Sequence, residues 1–304
     1  MGACIVRRAL AEGYEVHVLL RRPAPPWRLQ DVLPRLNVHR ADVMDAAAVN
    51  ETLARVRPRA VLHLATHGAY EPQDDARRIL ETNVIGGYNV VHAAIAAGCA
   101  VVVNAGSSSE YGYRDTAMNE VDALRPNSIY AVAKAAQTHM CTLLGSASEA
   151  TAVVTFRLFS VYGPWEEPTR LLPTIIRRAR AGLPLEMAAR DIARDFVYVD
   201  DVVAANLAAL RVGMPAGEMA IFNIGTGRAT SVNALWRVVD AIARPSVGAF
   251  HEPARSGDVR RSVLDPSRAA RELGWRAAVD VEDGLARTWA WFVEHAGRKA
   301  AEAA

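Results

Sequence analysis

The segment Ala100-Val101-Val102-Val103-Asn104-Ala105-Gly106-Ser107-Ser108-Ser109-Glu110-Tyr111-Gly112 joins a short apolar run to a serine-rich turn. The apolar run is typical of a strand buried on both faces of a parallel sheet. Similar runs alternate with helix-length amphipathic stretches along the chain. The predicted strands are 16–20, 60–65, 100–103 and 152–158, and the predicted helices are 3–12, 46–56, 75–97 and 129–145. This alternation predicts an α/β fold with a doubly wound, Rossmann-like parallel sheet and right-handed crossovers.

A tyrosine and a lysine follow this segment as Tyr130-Ala-Val-Ala-Lys134. Side chains four residues apart share one face of a helix. An ammonium group beside a phenol favours the phenolate, and the hydroxyl of Ser107 could share the reacting oxygen. The spacing also occurs by chance on solvated helices, but its place after a strand ending in Ser107 favours catalysis. The predicted chemistry is proton movement at a carbonyl or alcohol while hydride moves at its carbon.

The composition narrows the class of protein. Of the 304 residues, 51% are hydrophobic and 22% are charged, which fits a globular chain with a substantial core. The net charge of +2 gives no polybasic signature, so we expect neither nucleic acid nor a membrane as partner. Three cysteines, Cys4, Cys99 and Cys141, lack metal-site spacing, and no signal-peptide pattern is visible. These features predict a cytoplasmic protein without a metal site.

The pattern loosens into shorter elements rich in proline and arginine after about Gly163. We therefore predict a dinucleotide-binding domain at 1–163. Residues 164–304 are expected to form mainly a smaller C-terminal substrate-binding cap. Within them, segments at about 194–227 are expected to return to the first domain.

The first predicted helix, 3–12, follows Gly2 directly and is capped by Gly13. The strand at 16–20 would then be the second strand of a dinucleotide-binding unit, with Gly2 as the last glycine of a G-x-x-G-x-x-G turn. The alternative is that Gly2 has no such role. On the first interpretation we expect upstream codons to encode a Val/Ile-rich strand and the rest of the turn, and this chain to bind dinucleotide poorly.

Several short motifs occur in a characteristic order. They are His63-Leu64-Ala65, Thr82 to Asn89, Gly106 to Gly112, Tyr130/Lys134, Arg157 to Pro164, Arg194 to Asp201, Asn223 to Gly227 and Arg255 to Asp258. In this order and spacing the chain resembles the extended short-chain dehydrogenases, the nucleotide-sugar epimerase/dehydratase/reductase family. The resemblance runs from Gly2 to about Trp275.

The resemblance implies a role for each matching residue. Ser107 would bind the substrate oxygen, Tyr130 would be the acid/base, and Lys134 would lower the pKa of Tyr130 and contact the nicotinamide ribose. Further cofactor contacts are implied at Gly2, Asp42, Leu64, Ala65 and Asn83, and substrate contacts at Ser108, Ser160, Arg194 and Arg255.

Some of these assignments have plain alternatives. Two guanidinium groups can clamp a diphosphate, but Arg194 and Arg255 could instead form surface ion pairs. Asp42 could contact adenine or could be the N-cap of helix 46–56.

Two positions depart from the pattern of the family's dehydratases. Those enzymes carry an acidic residue at one or both positions after the catalytic Ser or Thr, whereas Ser108 and Ser109 stand here. Neither serine can act as a carboxylate acid or base. Glu110 comes one place later, and strand alternation would turn it to the other side. Dehydration is therefore disfavoured. Ser160 also replaces the usual Asn.

The second predicted strand ends Leu19-Leu20-Arg21-Arg22, without the acid that accepts hydrogen bonds from the NAD ribose. Arg21 and Arg22 are placed to bind a 2′-phosphate, although both could simply be solvated. The sequence therefore favours NADP(H), and NAD(H) stays open.

The leading functional hypothesis is NADPH-dependent reduction of the 4-keto group of a nucleotide-activated 6-deoxyhexose. The alternative enzyme is an NAD-dependent nucleotide-sugar 4-epimerase. An alternative of another class is a non-catalytic sugar-nucleotide-binding protein. The resemblance also implies a homodimer through helices 75–97 and 129–145, unless their apolar stripes only pack on the sheet.

Overall fold

A computed structural model of the chain describes residues 1–21, 27–69, 73–114, 116–183, 185–187, 192–214, 220–243, 249–251 and 261–302. The helices are α1 (Gly2–Ala11), α2 (Ala46–Val56), α3 (Ala76–Leu80), α4 (Gly86–Ala96), α5 (Ile129–Ser146), α6 (Leu171–Arg180), α7 (Val199–Arg211), α8 (Val232–Ala243), α9 (Ser267–Glu272) and α10 (Val281–Glu302).

The first strands in chain order are β1 (His17–Leu20), β2 (Asn37–Arg40), β3 (Ala60–His63), β4 (Val101–Ser107), β5 (Ala152–Leu158) and β6 (Ser160–Tyr162). The others are β7 (Leu185–Met187), β8 (Ala193–Arg194), β9 (Phe196–Tyr198), β10 (Ala220–Ile224), β11 (Thr230–Ser231), β12 (Ala249–His251) and β13 (Arg261–Ser262).

The main sheet has four parallel strands in the order β10-β5-β4-β3. Successive β4 residues point to opposite faces, as a pleated strand requires. Val101 and Val103 pack with α7 and α9, whereas Val102 packs with α4 and α5. Helices therefore cover both faces, and the predicted doubly wound α/β fold is confirmed.

A separate parallel pair, β1 and β2, lies beside this sheet. Leu19 of β1 and Val61 of β3 pack against one apolar cluster built from α2 and α4. Among the described residues no strand joins β1 to β3, so the position between them is open. β1 therefore has a parallel neighbour, β2, along one edge only among the described residues.

The predicted helix 75–97 is divided into α3, a π-helical segment at Glu81–Ile85, and α4. Gly86 begins α4 against Val43, where an added Cβ would lie 2.7 Å from a valine methyl carbon. A π segment shifts the side chains that follow it around the helix axis. Here it positions the buried side chain of Asn83 beside the loop that follows β3.

The C-terminal part builds a second cluster around α6, α8, α10 and β9. β9 pairs in parallel with β6, and β8 pairs with β11 and β13. β10 lies within the segment predicted at about 194–227 and pairs with β5 of the main sheet. No helix in the described ranges is long and apolar enough to cross a membrane.

Candidate active site

A cavity of about 1640 Å³ runs along the open position in the sheet to the carboxyl ends of β3 and β4. It brings together eight of the residues predicted from the sequence. They are Gly2, Leu64, Ala65, Ser107, Ser108, Tyr130, Lys134 and Ser160.

Ser107 ends β4 and caps the short 3₁₀ turn at Ser108–Tyr111. Its backbone N–H donates to Glu110 Oε1 at 2.8 Å, and its side chain accepts from the Ser109 N–H at 3.2 Å. This capping box holds the hydroxyl group at the wall of the cavity.

Glu110 lies beneath that wall, fully buried. Besides Ser107 it accepts hydrogen bonds from Thr138 Oγ1 at 3.0 Å and from Arg157 Nε at 2.9 Å. As the sequence analysis expected, this carboxylate points away from the cavity that Ser107 lines. The cause is the 3₁₀ turn rather than strand alternation. Ser108 therefore remains the residue that follows Ser107 along the cavity.

Tyr130 lies in the first turn of α5, which begins after Ser128 accepts a hydrogen bond from the Ala131 N–H at 3.1 Å. Burial raises the pKa of Tyr130 above that of an ordinary phenol, and hydrogen bonds with Ser107 and Thr66 oppose the rise. The phenol thus shares its oxygen with two hydroxyl groups at the cavity wall.

Lys134 lies one turn further along α5, buried with 2% of its surface exposed. Its ammonium donates to the Ala105 carbonyl oxygen and, at 2.5 Å, to Gln137 Oε1. Burial lowers the pKa of Lys134 to about 8, although the charge of Glu110 opposes this. That Lys134 lowers the pKa of Tyr130 stays a prediction, because burial sets the net direction of the pKa of Tyr130 in this structure.

Asn83 does not line the cavity in the described part of the chain. Its side chain accepts from Thr66 Oγ1 at 2.9 Å and from the His67 N–H at 3.0 Å, and donates to the His67 carbonyl oxygen at 2.7 Å. It therefore fixes the loop that carries Thr66 towards Tyr130.

The roles of Thr66 and Gln137 at Tyr130 and Lys134 were not predicted. Gln137 is fully buried. It follows Lys134 by three residues, and this spacing puts both side chains on one face of the helix. The position of Thr66 depends on the π segment, which the sequence pattern did not reveal.

Two residues predicted to bind the cofactor, Arg21 and Asp42, pair with each other. Arg21 Nε lies 4.0 Å from Asp42 Oδ2, and Asp42 Oδ1 accepts from the Met44 N–H at 3.1 Å. The alternative role of Asp42 as N-cap is wrong, because Asp45 caps α2 by accepting from the Ala48 N–H. Arg22 lies outside the described residues.

A smaller cavity of about 120 Å³ adjoins the first through Ser160, and Arg194 lines it. Arg194 Nη1 donates to the Ala193 carbonyl oxygen at 3.1 Å. Two residues that the sequence analysis missed, Glu166 and Arg170, line both cavities and form an ion pair of 3.3 Å. Burial raises the pKa of Glu166 to about 7. Arg255 lies outside the described residues.

The donor set fits a pyridine dinucleotide. Met1, the N-cap of α1, makes no side-chain capping bond, so the first N–H groups of this helix remain for an anion beside Gly2. The Gln137 Nε2 and His63 Nε2 atoms are buried without a hydrogen-bond partner close to Lys134. Gly2, Leu64, Ala65 and Lys134 would hold the cofactor, with Tyr130 at its reacting end. No cluster of potential metal ligands occurs among the described residues.

Comparison with known proteins identifies the family. The sequence profile of the NAD dependent epimerase/dehydratase family matches residues 1–225. The chain therefore belongs to this family of nucleotide-sugar enzymes of the extended short-chain dehydrogenase type, as the resemblance implied.

Individual relatives cover most of the chain. It is 31% identical over 303 residues to the UDP-glucose 4-epimerase of Mycolicibacterium smegmatis. This match covers 96% of this chain and 95% of that protein. It is 32% identical over 267 residues to the dTDP-glucose 4,6-dehydratase of Streptomyces griseus, covering 86% of this chain and 79% of that protein.

The fold agrees with that of a solved structure. The Bordetella bronchiseptica enzyme WbmG, in complex with NAD and UDP, has a TM-score of 0.85 at 28% identity. The match covers 97% of this chain and 92% of that chain. That neighbour binds NAD, and no comparison supports the predicted preference for NADP(H).

Proposed function

We propose that the protein is an NAD-dependent 4-epimerase of a nucleotide-activated sugar. The observation that carries the proposal is the set of hydroxyl groups at the cavity wall. Tyr130 hydrogen-bonds with Ser107 and Thr66, and Lys134 lies buried one turn away on the same helix. This arrangement serves proton transfer at a sugar oxygen while hydride leaves or joins its carbon.

Tyr130 takes the proton of the sugar C4 hydroxyl in the first half of the reaction, and Ser107 hydrogen-bonds the same oxygen. Gly2, Leu64, Ala65 and Lys134 would hold the dinucleotide, which would supply the reversible hydride acceptor that oxidation at C4 needs. After the keto sugar has turned in the cavity, Tyr130 gives the proton back to the oxygen, and the opposite configuration at C4 results. The charged Lys134 favours the phenolate that each cycle requires.

Dehydration has less support from the site. The residue after Ser107 in the cavity wall is a serine, and the nearest following carboxylate, Glu110, is buried in its ion pair with Arg157. A 4,6-dehydratase needs a carboxylate that takes the proton from C5 and a carboxylic acid that protonates the hydroxyl leaving C6 as water. The positions that supply these groups in the family's dehydratases carry serine here.

We assign the diphosphate of the substrate to the smaller cavity. Ser160, Arg170 and Arg194 line it, so two guanidinium groups face one space of diphosphate size.

The test is to incubate the purified protein with UDP-glucose and UDP-galactose separately and follow both by NMR. With NAD supplied, we expect interconversion in either direction without net oxidation or reduction. Turnover that consumes a stoichiometric reductant would contradict the epimerase proposal.

A second candidate is an NADPH-dependent 4-ketoreductase, favoured by Arg21 at the end of β1 where an NAD-binding relative would carry an acid. Its test is oxidation of NADPH in the presence of an NDP-4-keto-6-deoxyhexose. Arg21→Ala should then weaken the binding of NADPH more than the binding of NADH. Equal weakening of both would show that Arg21 serves only its ion pair with Asp42.

We also infer a homodimer through α4 and α5. Apolar side chains on these adjacent helices remain 42–46% exposed at Tyr88, Ile129 and Val132. An exposed apolar patch of this kind is typical of an interface.

A further inference from the structure

The ammonium group of Lys134 has two hydrogen-bond acceptors in the interior of the protein. One is the Ala105 carbonyl oxygen of β4, and the other is Gln137 Oε1 at 2.5 Å, on the same helix α5. An ammonium group carries three N–H donors. The third donor therefore remains for the cavity, which Lys134 lines together with Tyr130.

The amide of Gln137 is oriented by this contact. Its Oε1 atom faces Lys134, and its Nε2 atom is buried without a hydrogen-bond partner. The reverse orientation would set an N–H donor against the ammonium group. A buried donor without a partner costs free energy. The side chain thus lies in an orientation that costs stability and serves Lys134.

Helix α4 provides the space for this amide. Gly87 of α4 is buried, and a Cβ built on it would lie 2.7 Å from Gln137 Nε2 and 3.3 Å from Gln137 Cγ. A larger residue at this position would have to shift the amide, which the ammonium group holds from the other side. Gln137 is therefore confined between a neighbouring helix and the charge of Lys134.

Among the described residues, no ionisable side chain hydrogen-bonds the ammonium group of Lys134. The charge of Glu110 raises the pKa of Lys134, but this carboxylate is paired with Arg157 at 2.9 Å. Cys141 and His63 are uncharged at neutral pH, because burial raises the pKa of Cys141 to about 12 and lowers that of His63 to about 3. The side chain that holds the ammonium group directly is therefore an uncharged amide.

We propose that Gln137 is a positioning residue, a role that rests on the proposed epimerisation: it anchors the ammonium group of Lys134 without neutralising its charge. A carboxylate in this place would bind the ammonium more tightly, but it would cancel the effect of the positive charge on Tyr130, one turn away on α5. An apolar side chain would leave a buried charge without its second acceptor, which is costly. An amide avoids both effects.

Gln137→Glu tests this role, since it keeps the size and the acceptor and adds a negative charge. We expect kcat for UDP-glucose to fall about tenfold or more, while the affinity measured by calorimetric titration stays within about twofold. The acid limb of the kcat–pH profile should move up by about one unit, because Tyr130 loses the cation that favours its phenolate. Unchanged kcat and an unchanged profile in this variant would overturn the proposal.

Gln137→Met and Leu144→Ala complete the set. Gln137→Met removes the acceptor without adding a charge, so kcat should fall about tenfold with no upward shift of the acid limb. Leu144, two turns after Gln137 on α5, packs partly buried in the apolar core. Leu144→Ala should lower the midpoint of urea denaturation and leave kcat and its pH profile unchanged. An equal loss of kcat in Leu144→Ala, or full kcat in Gln137→Met, would overturn the proposal.

A readout that needs no turnover separates the anchoring role from the reaction. The pKa of Lys134 is lowered to about 8 in the folded protein, so stability should rise with pH between about 8 and 10.5. Gln137→Glu should abolish this rise, because a carboxylate beside the ammonium group raises its pKa. Abolition of the rise in a protein without epimerase turnover would support the anchoring role and contradict the proposed function alone. An undiminished rise in Gln137→Glu would overturn the anchoring role itself.

Discussion

The backbone N–H of Ser107 donates to the fully buried carboxylate of Glu110 at 2.8 Å. Glu110 is also held by Arg157 at 2.9 Å, so an ion pair in the interior fixes the residue that presents a hydroxyl to the cavity. The position of Ser107 therefore depends on the protein core rather than on a free loop.

Glu110→Gln should lower the free energy of unfolding by about 3–5 kcal/mol, because it leaves the buried Arg157 without its anion. Urea denaturation measures the change. The matched control is Glu51→Gln, which removes an exposed pair with Arg55 and should change stability by less than about 0.5 kcal/mol. Equal effects of the two variants would show that the buried pair is dispensable.

Tyr130→Phe should reduce kcat by about 10²–10⁴ while the affinity for UDP-glucose remains, since only the transferable proton is removed. Kinetics and calorimetric titration measure the two quantities. Tyr88→Phe, on the exposed face of α4, is the control and should keep full turnover. Unchanged turnover in the Tyr130 variant would remove this residue from the mechanism.

Lys134 should make stability depend on pH between about 8 and 10.5. Its pKa is lowered in the folded protein, so the unfolded chain binds more protons in this window and stability rises with pH. Lys134→Met lacks this rise. The stability advantage of the variant over the wild type should therefore be largest below pH 8 and shrink by at most roughly 3 kcal/mol towards pH 10.5.

Urea denaturation of both proteins at several pH values gives this difference, and other titrating groups cancel in it. Parallel pH curves for the two proteins would show that Lys134 keeps an ordinary pKa in its buried site.

The double variant Tyr88→Asp and Val132→Asp should convert a dimer to a monomer, because it places charges in the apolar surface of α4 and α5. Light scattering at micromolar concentration measures the mass. The control Val293→Asp changes a residue of similar exposure on α10 and should leave the dimer intact. A monomeric wild type would contradict the proposed interface.

The parts of the fold that depend on local sequence were predictable. The apolar runs predicted the strands, and the spacing of Tyr130 and Lys134 predicted the helix of the site. Both succeeded because burial patterns and helix periodicity are local properties. The break of helix 75–97 was not predictable, since it follows from contacts of Gly86 with Val43 far along the chain.

Electrostatic details of the site were less accessible to sequence reasoning. The spacing predicted that Lys134 acts on Tyr130, yet the hydrogen bonds of Lys134 go to Ala105 and Gln137. The pairing of Arg21 with Asp42 was likewise hidden, because it depends on the parallel register of two strand ends.

The most direct test of the account is the fate of a deuterium label at C4 of UDP-glucose. If Tyr130 moves the proton and one bound NAD takes and returns the hydride in the same cavity, UDP-galactose should form with deuterium still at C4. The cofactor should show no net change, and the Tyr130→Phe protein should form no product. Loss of the label to added cofactor, or conversion to a 4-keto-6-deoxy product, would contradict the proposed epimerisation.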